Sequence, residues 1–506
     1  MFEENLVEII INERILRCEK KEVIRISPLV REYFEDNEES NHFVTEVENF
    51  DTLIKGKTGN NNRDREEIEI NNLQKILNGK QIEVNFDNFE LFSAFSKHFG
   101  IYTLNQKIHE FENYLDNITK YIEGNEELET LKKIENLLRS LNSENFKEEI
   151  SKEETVMFLR SIDQMLLIQA IYGIFLLGTQ QTCNNFMIEL IIELNSIKPE
   201  ILTSFVQMII NKVDNTQFAD IRNYLNNELF LLLHQLFEYN LANEGQISQK
   251  LSLIFVDFLN DNEKIVLNEM FKTIDESYLD DNYRLHKKAC ELGVYPDALE
   301  ISIRNDDLSN CQNIIAHRYE DINQLVKTSI YEKNSFVNDG NCSLLEYAAF
   351  FGARNCFKFL LSNRAEMDKQ RIGKFAIAGG DEEIIHICHQ AECSFKRTVN
   401  IAIRYHHNDI AIWLIENRLD SIDSNESFDS DKSPLKQSLE SFNIEMMVYL
   451  LERGQDVESI VNFSSFANNI ILLKWIMKYY KENNINVDQY ITYDIKGVFK
   501  LIVFFK

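Results

Sequence analysis

The segment spanning residues 343–365, SLLEYAAFFGARNCFKFLLSNRA, constrains the fold more than any other part of this chain. It reads as two short helices around a glycine turn. Leu345, Ala348 and Ala349 fall at i, i+3 and i+4 on the first helix, and Cys356, Phe357, Leu360 and Leu361 make one stripe on the second. Gly352 sits where a left-handed residue ends a helix. The small pair Ala348-Ala349 lets another helix approach closely. A helix pair of this size cannot bury its apolar face alone, so it needs neighbours of its own kind.

Such neighbours occur in weaker form. Residues 376–380 (AIAGG) precede Ile384, Ile385 and Cys388. Residues 402–406 (AIRYH) precede Ile410, Ala411, Leu414 and Ile415. Residues 438–442 (SLESF) precede Met446, Met447, Leu450 and Leu451. Upstream, 302–306 (SIRND) leads to Ile314 and Ile315; downstream, 464–468 leads to Leu472, Leu473 and Ile476. Across these six candidate units the glycine position holds Asp306, Gly352, Gly380, His406, Phe442 and Asn468. Asp, His and Asn are the non-glycine residues that best tolerate positive φ. Phe442 is expected to break the rule and end its helix differently. A generic helical bundle with coincidental spacing is the competing explanation.

From 329–333 (SIYEK) through the block Leu345-Glu346-Tyr347-Ala348-Ala349-Phe350-Phe351-Gly352, the chain resembles a divergent ankyrin-repeat family expanded in protists, whose function is largely unassigned. The resemblance covers residues of about 296–480 and is most specific at 346–352. It implies a helical solenoid that binds partners and performs no chemistry. The steps between Ser302, Ala348, Ala376, Ala402, Ser438 and Ser464 run from 26 to 46 residues, against about 33 for ankyrin repeats. Short steps leave little room for β-turn fingers, and long ones carry insertions. One insertion is the acidic, serine-rich run 420–433 (DSIDSNESFDSDKS), expected as a mobile loop. No unit keeps a Thr-Pro-Leu-His start; Ser343-Leu344-Leu345-Glu346 comes nearest.

A second module is expected at the N-terminus. Residues 8–17 are strand-like and lead into 20–34, KKEVIRISPLVREYF. Ser27, Pro28, Arg31 and Phe34 match the Ser-Pro-x-x-Arg-x-x-Phe-like segment of BTB/POZ domains. Lys20 also matches, Val23 stands where that family prefers leucine, and Glu19 replaces its usual histidine. Ile68-Glu69-Ile70 reads as a strand. Leu73, Ile76 and Leu77 follow as a helical stripe ending at Asn78-Gly79, without the family's Tyr and Thr. After Ile82-Glu83-Val84, helices are expected at 88–99 and 103–114. Residues 55–65 (KGKTGNNNRDR) are polar and expected to be disordered. The resemblance covers about 5–115 and implies self-association or docking to a cullin-type ubiquitin ligase scaffold. An unrelated α+β domain is the alternative.

Residues 118–295 read as helices throughout, for example 127–140, 154–177, 186–194, 229–241 and 251–259, and carry no chemical motif. The expected architecture is therefore mostly α. It comprises a BTB/POZ-like α+β domain at 1–117, a helical region at 118–295, ankyrin-like repeats at 296–480 and a C-terminal tail at 481–506. The tail's VFKLIVFFK could be a docked strand or helix, or a poorly formed end. With only 4 prolines and 16 glycines in 506 residues, few breakers interrupt helices.

The formal net charge of −29 repels phosphate backbones and anionic membrane surfaces, and no basic cluster with interleaved aromatics offsets it. A basic partner, or a basic patch on one, is compatible. The start MFEENLVEIII lacks the basic region of a secretory signal. The longest apolar run, 165–178, is too short to span a membrane and suits a buried helix. The eight scattered cysteines then read as reduced thiols of an intracellular, cytoplasmic protein, the nucleus left open.

His386-x-Cys388-His389-x-x-x-Cys393 is the best metal candidate. By the repeat alignment Cys388 points inward and His386 outward, so the groups diverge where zinc needs four convergent ligands. His406-His407 fits a helix-ending turn. No phosphate-loop pattern occurs, and no nucleophile has a companion base. The carboxylate pairs Asp306-Asp307 and Glu382-Glu383 suit solvated faces or helix first turns. No catalytic residue, metal or cofactor is expected. The expected function is a non-catalytic adaptor that binds a protein partner through the repeats, with a homodimer or cullin contact through 1–117. The alternative is a structural scaffold or cytoskeletal linker with no ligase connection. First-helix positions beside the turn make Phe350, Phe351, Arg404, Tyr405 and Glu440 the expected exposed partner-binding residues. Packing of Phe350 or Phe351 beneath an adjacent loop is the other outcome.

Overall fold

The computed structural model describes residues 6–55, 63–85, 88–140, 146–171, 184–215, 283–292, 297–318, 321–327, 336–337, 340–417, 433–455, 475, 478–479 and 481–482. The described residues are mostly helical with one small sheet. The described residues divide into two compact units. One takes in 6–129 with 446–455 and 478–482; the other takes in 130–445 and 475.

The first unit begins with a hairpin of β1 (Leu6–Ile11) and β2 (Arg14–Glu19). Its two loop residues, Asn12 and Glu13, both have positive φ (46° and 69°), the backbone that matches the right-handed twist of paired strands. β3 (His42–Thr45) runs parallel to β1 on its other side, giving the order β2-β1-β3. Val7, Ile9, Ile11, Leu16, Cys18 and Phe43 alternate inward, as a pleat demands. Between β2 and β3 lie α1 (Lys20–Ile26) and α2 (Pro28–Asp36). Ser27 caps α2 by accepting the Val30 N–H at 3.3 Å, with Pro28 at the first helical position, and its hydroxyl donates to the Phe99 carbonyl at 2.7 Å. So the Ser-Pro pair starts a helix and ties it to the core. α3 (Phe50–Lys55), α4 (Arg63–Leu77), α5 (Phe89–Phe99) and α6 (Tyr102–Ile122) complete the unit. Ile68-Glu69-Ile70, expected as a strand, lies inside α4. Three alternating residues are too few to separate a period of 2 from one of 3.6. Buried Glu69, Leu73, Ile76 and Leu77 share one helical face. Asn78-Gly79 ends the helix as expected, with φ 68° at Gly79.

The second unit opens with α7 (Glu126–Ser140), whose first four residues belong to the other unit. α8 (Phe146–Ser151), α9 (Glu153–Ser161), α10 (Gln164–Ile171), α11 (Asn184–Ile197), α12 (Ile201–Asn215) and α13 (Arg284–Leu292) follow. The helix expected over 154–177 is broken between α9 and α10, where the Asp163 side chain accepts the Leu166 N–H at 3.0 Å and caps a new helix. Residues 172–177, and the helices expected at 229–241 and 251–259, lie outside the described residues. No described helix is long and apolar enough to cross a membrane.

Five helix pairs come next: α14/α15 (Ala298–Arg304, Leu308–Arg318), α16/α17 (Leu344–Phe350, Arg354–Ser362), α18/α19 (Ile372–Gly379, Glu382–Gln390), α20/α21 (Val399–Arg404, Asn408–Glu416) and α22/α23 (Pro434–Glu440, Ile444–Glu452). Their turns are alike. Asp306, Gly352, Gly380, His406 and Phe442 all have φ between 51° and 71°. In four of the five turns the residue after this position donates to the carbonyl of the small residue before it: Asp307 to Ser302, Ala353 to Ala348, His407 to Ala402 and Asn443 to Ser438, at 2.7–2.9 Å. Phe442 therefore keeps the common turn, contrary to the sequence expectation. Successive first helices pack together from α14 to α22, and the second helices α15, α17 and α19 pack in a parallel layer. The five small residues Ser302, Ala348, Ala376, Ala402 and Ser438 are all buried there, so their size sets the helix spacing. The sixth candidate unit with Asn468, the run 165–178 beyond 171, the acidic run 420–432, and the tail beyond 482 lie outside the described residues.

Candidate functional site

The ends of the first helices carry a continuous aromatic stripe. Phe350 and Phe351 close α16, Phe375 lies on α18, and Tyr405 follows α20. Between them, the third unit has only Ala378 and Gly379. A Cβ on Gly379 would overlap the Ala349 carbonyl oxygen, so glycine is what lets α18 seat this closely against α16. Across that low ground the Phe350 and Tyr405 rings meet edge to face at 6.4 Å, although their units are not adjacent in the series. Phe336, from the segment before α16, stacks on Phe350 at 6.0 Å and meets the edge of Phe375 at 5.9 Å.

Cations lie over these rings. Arg304 is 4.3 Å from the Phe351 centroid, Lys374 is 5.1 Å from Phe375 and 5.5 Å from Phe336, and Arg404 is 5.9 Å from Tyr405. Each such contact is worth about 0.5–1 kcal/mol at an accessible site. Arg371 sits 5.8 Å from Phe375 and pairs with Glu346 at 3.0 Å, while Glu346 closes a capping box with Ser343 at the start of α16. Cation, ring and helix cap are thereby held in one arrangement.

Three of the five expected partner-binding residues are not exposed. Phe350, Phe351 and Tyr405 are 1%, 6% and 7% exposed. Phe350 and Tyr405 meet across the step left by Ala378 and Gly379, Phe351 packs against Tyr347 and Phe350, and Phe336 stacks on Phe350, which is the packing beneath an adjacent segment named above as the other outcome. Arg404 is half-buried and Glu440 is exposed, 3.9 Å from Lys436. The accessible chemistry of the face is thus cationic and carboxylate, with the rings acting as its floor. Arg304, Phe336, Arg371, Lys374 and Phe375 were missed. Arg304 and Arg404 occupy the same position in their units, two residues after the small residue, so that pair was readable from the alignment. Phe336 belongs to no unit and had no periodic signal.

The metal candidate does not converge. Cys388 is buried and His386 exposed, and among the described residues no group of three or more His, Cys, Asp or Glu side chains could hold a metal ion. Burial pushes the Cys388 thiol up to about 12, so it packs as a small apolar group. The described face is suited to binding a polar surface by ion pairs over an aromatic floor. Comparison with protein-family models, with curated proteins and with solved structures finds no match.

Proposed function

We propose that this chain is a non-catalytic interaction adaptor, in which an ankyrin-like solenoid binds a protein partner through the first-helix face bearing Arg304, Lys374 and Arg404. The observation that carries this reading is the row of five helix pairs with a common left-handed turn, which sets equivalent positions of successive units side by side. Serial packing of that kind builds an extended surface suited to recognition. Arginine above aromatic rings is a frequent interface anchor. In this reading the N-terminal unit is BTB/POZ-like and joins the adaptor to itself or to a cullin-type scaffold. Support there is the order of a strand pair, helices and a Ser-Pro-capped helix.

Affinity capture with the full chain tests the proposal. The double change Arg304→Ala and Arg404→Ala should weaken partner recovery by about tenfold or more, the loss of a hot-spot pair. Arg354→Ala, on the second-helix layer and paired with Asp381 at 2.7 Å, should leave it unchanged. Equal recovery by both variants and the wild type would overturn the binding face. Absence of any cullin among proteins captured by the wild type, with other partners present, would leave the scaffold reading in its place.

A further inference from the structure

The three-stranded sheet packs its inner face and leaves its outer face to solvent. The strand register sorts the outward residues into rows. Ile15, Ile10 and Val44 stand side by side across β2, β1 and β3, and Arg17, Glu8 and His42 form the next row. Ile15 and Val44 are 51% and 62% exposed, and Leu6, beyond the charged row, is 46% exposed. Three β-branched side chains in one solvent-facing row make an apolar strip across the whole sheet. A contiguous exposed strip of that kind, rimmed by charge, marks a contact surface.

Charge is divided unequally about the strip. On one side Arg17 and His42 flank Glu8, and Arg17 Nε lies 3.3 Å from the Glu8 carboxylate. On the other side the strands run out at Glu13 in the hairpin turn and Glu46 just past β3, both exposed. One margin of the strip is therefore mainly basic and the other acidic.

That polarity selects a partner. A second copy, turned over about an axis along the apolar row, sets Ile15, Ile10 and Val44 against their own equivalents. Arg17 then comes over Glu13 of the other copy, and His42 over its Glu46. Turning the copy about an axis along the strands would instead set Glu8 on Glu8, Arg17 on His42 and Glu13 on Glu46, all like charges. Sheets packed face to face keep their strands within about 30° of each other, so the rows stay opposed. The net charge of −29 resists the approach of a second copy, and the placed basic-to-acidic pairing offsets that repulsion at the contact. The arrangement is isologous and closes as a dimer.

We propose that the outer face of this sheet is a self-association surface, on which a second copy of the chain docks about a two-fold axis along the row Ile15, Ile10 and Val44. The proposal rests on the reading of the N-terminal unit as the part that joins the adaptor to itself, and gives that reading a surface.

Sedimentation equilibrium of the full chain tests it. The wild type should pass from monomer to dimer as its concentration rises towards about 100 μM, the weak range that suits so small a contact. Val44→Lys sets two like charges together on the axis and should raise the dimer Kd about tenfold or more. Its unfolding midpoint in dilute protein should not move, because Val44 faces solvent there. Arg17→Glu and Glu13→Lys should each weaken the dimer, and the two changes combined should restore it. A dimer indifferent to Val44→Lys overturns the proposal and leaves self-association to another surface. A double variant no tighter than the single ones overturns the axis and with it the proposal. A wild type that stays monomeric overturns both the proposal and the self-association reading, with partner capture by the repeats unaffected. If such a monomer loses a captured protein on Val44→Lys, the face belongs to that different protein and the second copy is overturned.

Discussion

Asp306 does two jobs that only become visible together. Its φ of 51° places it in the left-handed region, and its carboxylate reaches into the next helix pair. There it accepts the Cys356 N–H at 2.9 Å, the Asn355 N–H at 3.2 Å and the Asn355 side-chain amide at 2.8 Å. Asp306→Gly suits the backbone but removes the cap on α17, so it should cost about 1 kcal/mol. Asp306→Ala adds left-handed strain and should cost about 1 kcal/mol more. Denaturant unfolding should rank wild type above Gly above Ala. Phe442 accepts the same backbone, at φ 54°, with its ring 3% exposed. Burying a phenylalanine returns about 1.5–3 kcal/mol, which outweighs the turn strain. Local preference argued against that residue, and packing overrode it. His407 gives stability a pH dependence. Burial holds its ring below the ordinary value of 6.5, despite the Ala378 carbonyl favouring the charged form. The unfolded chain therefore takes up this proton first as the pH falls. The His407 contribution to stability is complete above about 6.5 and is lost as the pH drops below it. On going from pH 7.5 to 5.5 the unfolding midpoint should fall further in the wild type than in His407→Gln.

At the scale of elements, the hairpin shows what a period of two can specify. In the outer row of the sheet, Ile15 and Val44 flank Ile10 in the register, and Ile15 and Val44 are 51% and 62% exposed. One residue along, Leu16, Ile9 and Phe43 form a buried row. Ile15→Lys should change stability by less than about 0.5 kcal/mol, whereas Leu16→Ala should lose about 2–5 kcal/mol. A chemical denaturation series on the two variants checks the register directly, since a slip by one residue would exchange their effects. The helix pairs were legible because each repeats one stripe, small pair and turn. Helix α4 was not, since Ile68-Glu69-Ile70 satisfies either period until Leu73 and Leu77 extend it. The break between α9 and α10 was hidden because Leu159, Ile162 and Leu166 keep a helical spacing straight through it, and it turns on a single cap, Asp163.

For the whole molecule, the serial packing of first helices makes each unit depend on its neighbours. Ala348 is 0% exposed between α16 and the helices beside it. Ala348→Asp should bury a charge with no partner and cost about 3 kcal/mol or more. Calorimetry of the full chain should show that transition at a lower temperature; an unchanged transition would place Ala348 elsewhere than in the packed layer. Which residues turn, which stripes bury and how often the pattern recurs were set by the amino-acid sequence, since these depend on neighbours a few positions away. Glycine, aspartate and histidine at matching places align four of the five described units, and Phe442 holds that place in the fifth. The aromatic face and the buried contact of Glu135 with His406 were decided only by the tertiary structure. Phe350 meets Tyr405 because Ala378 and Gly379 leave room between them, and Glu135 meets His406 across 271 positions of chain. Contacts of that kind depend on which helix packs beside which, and no local period encodes them.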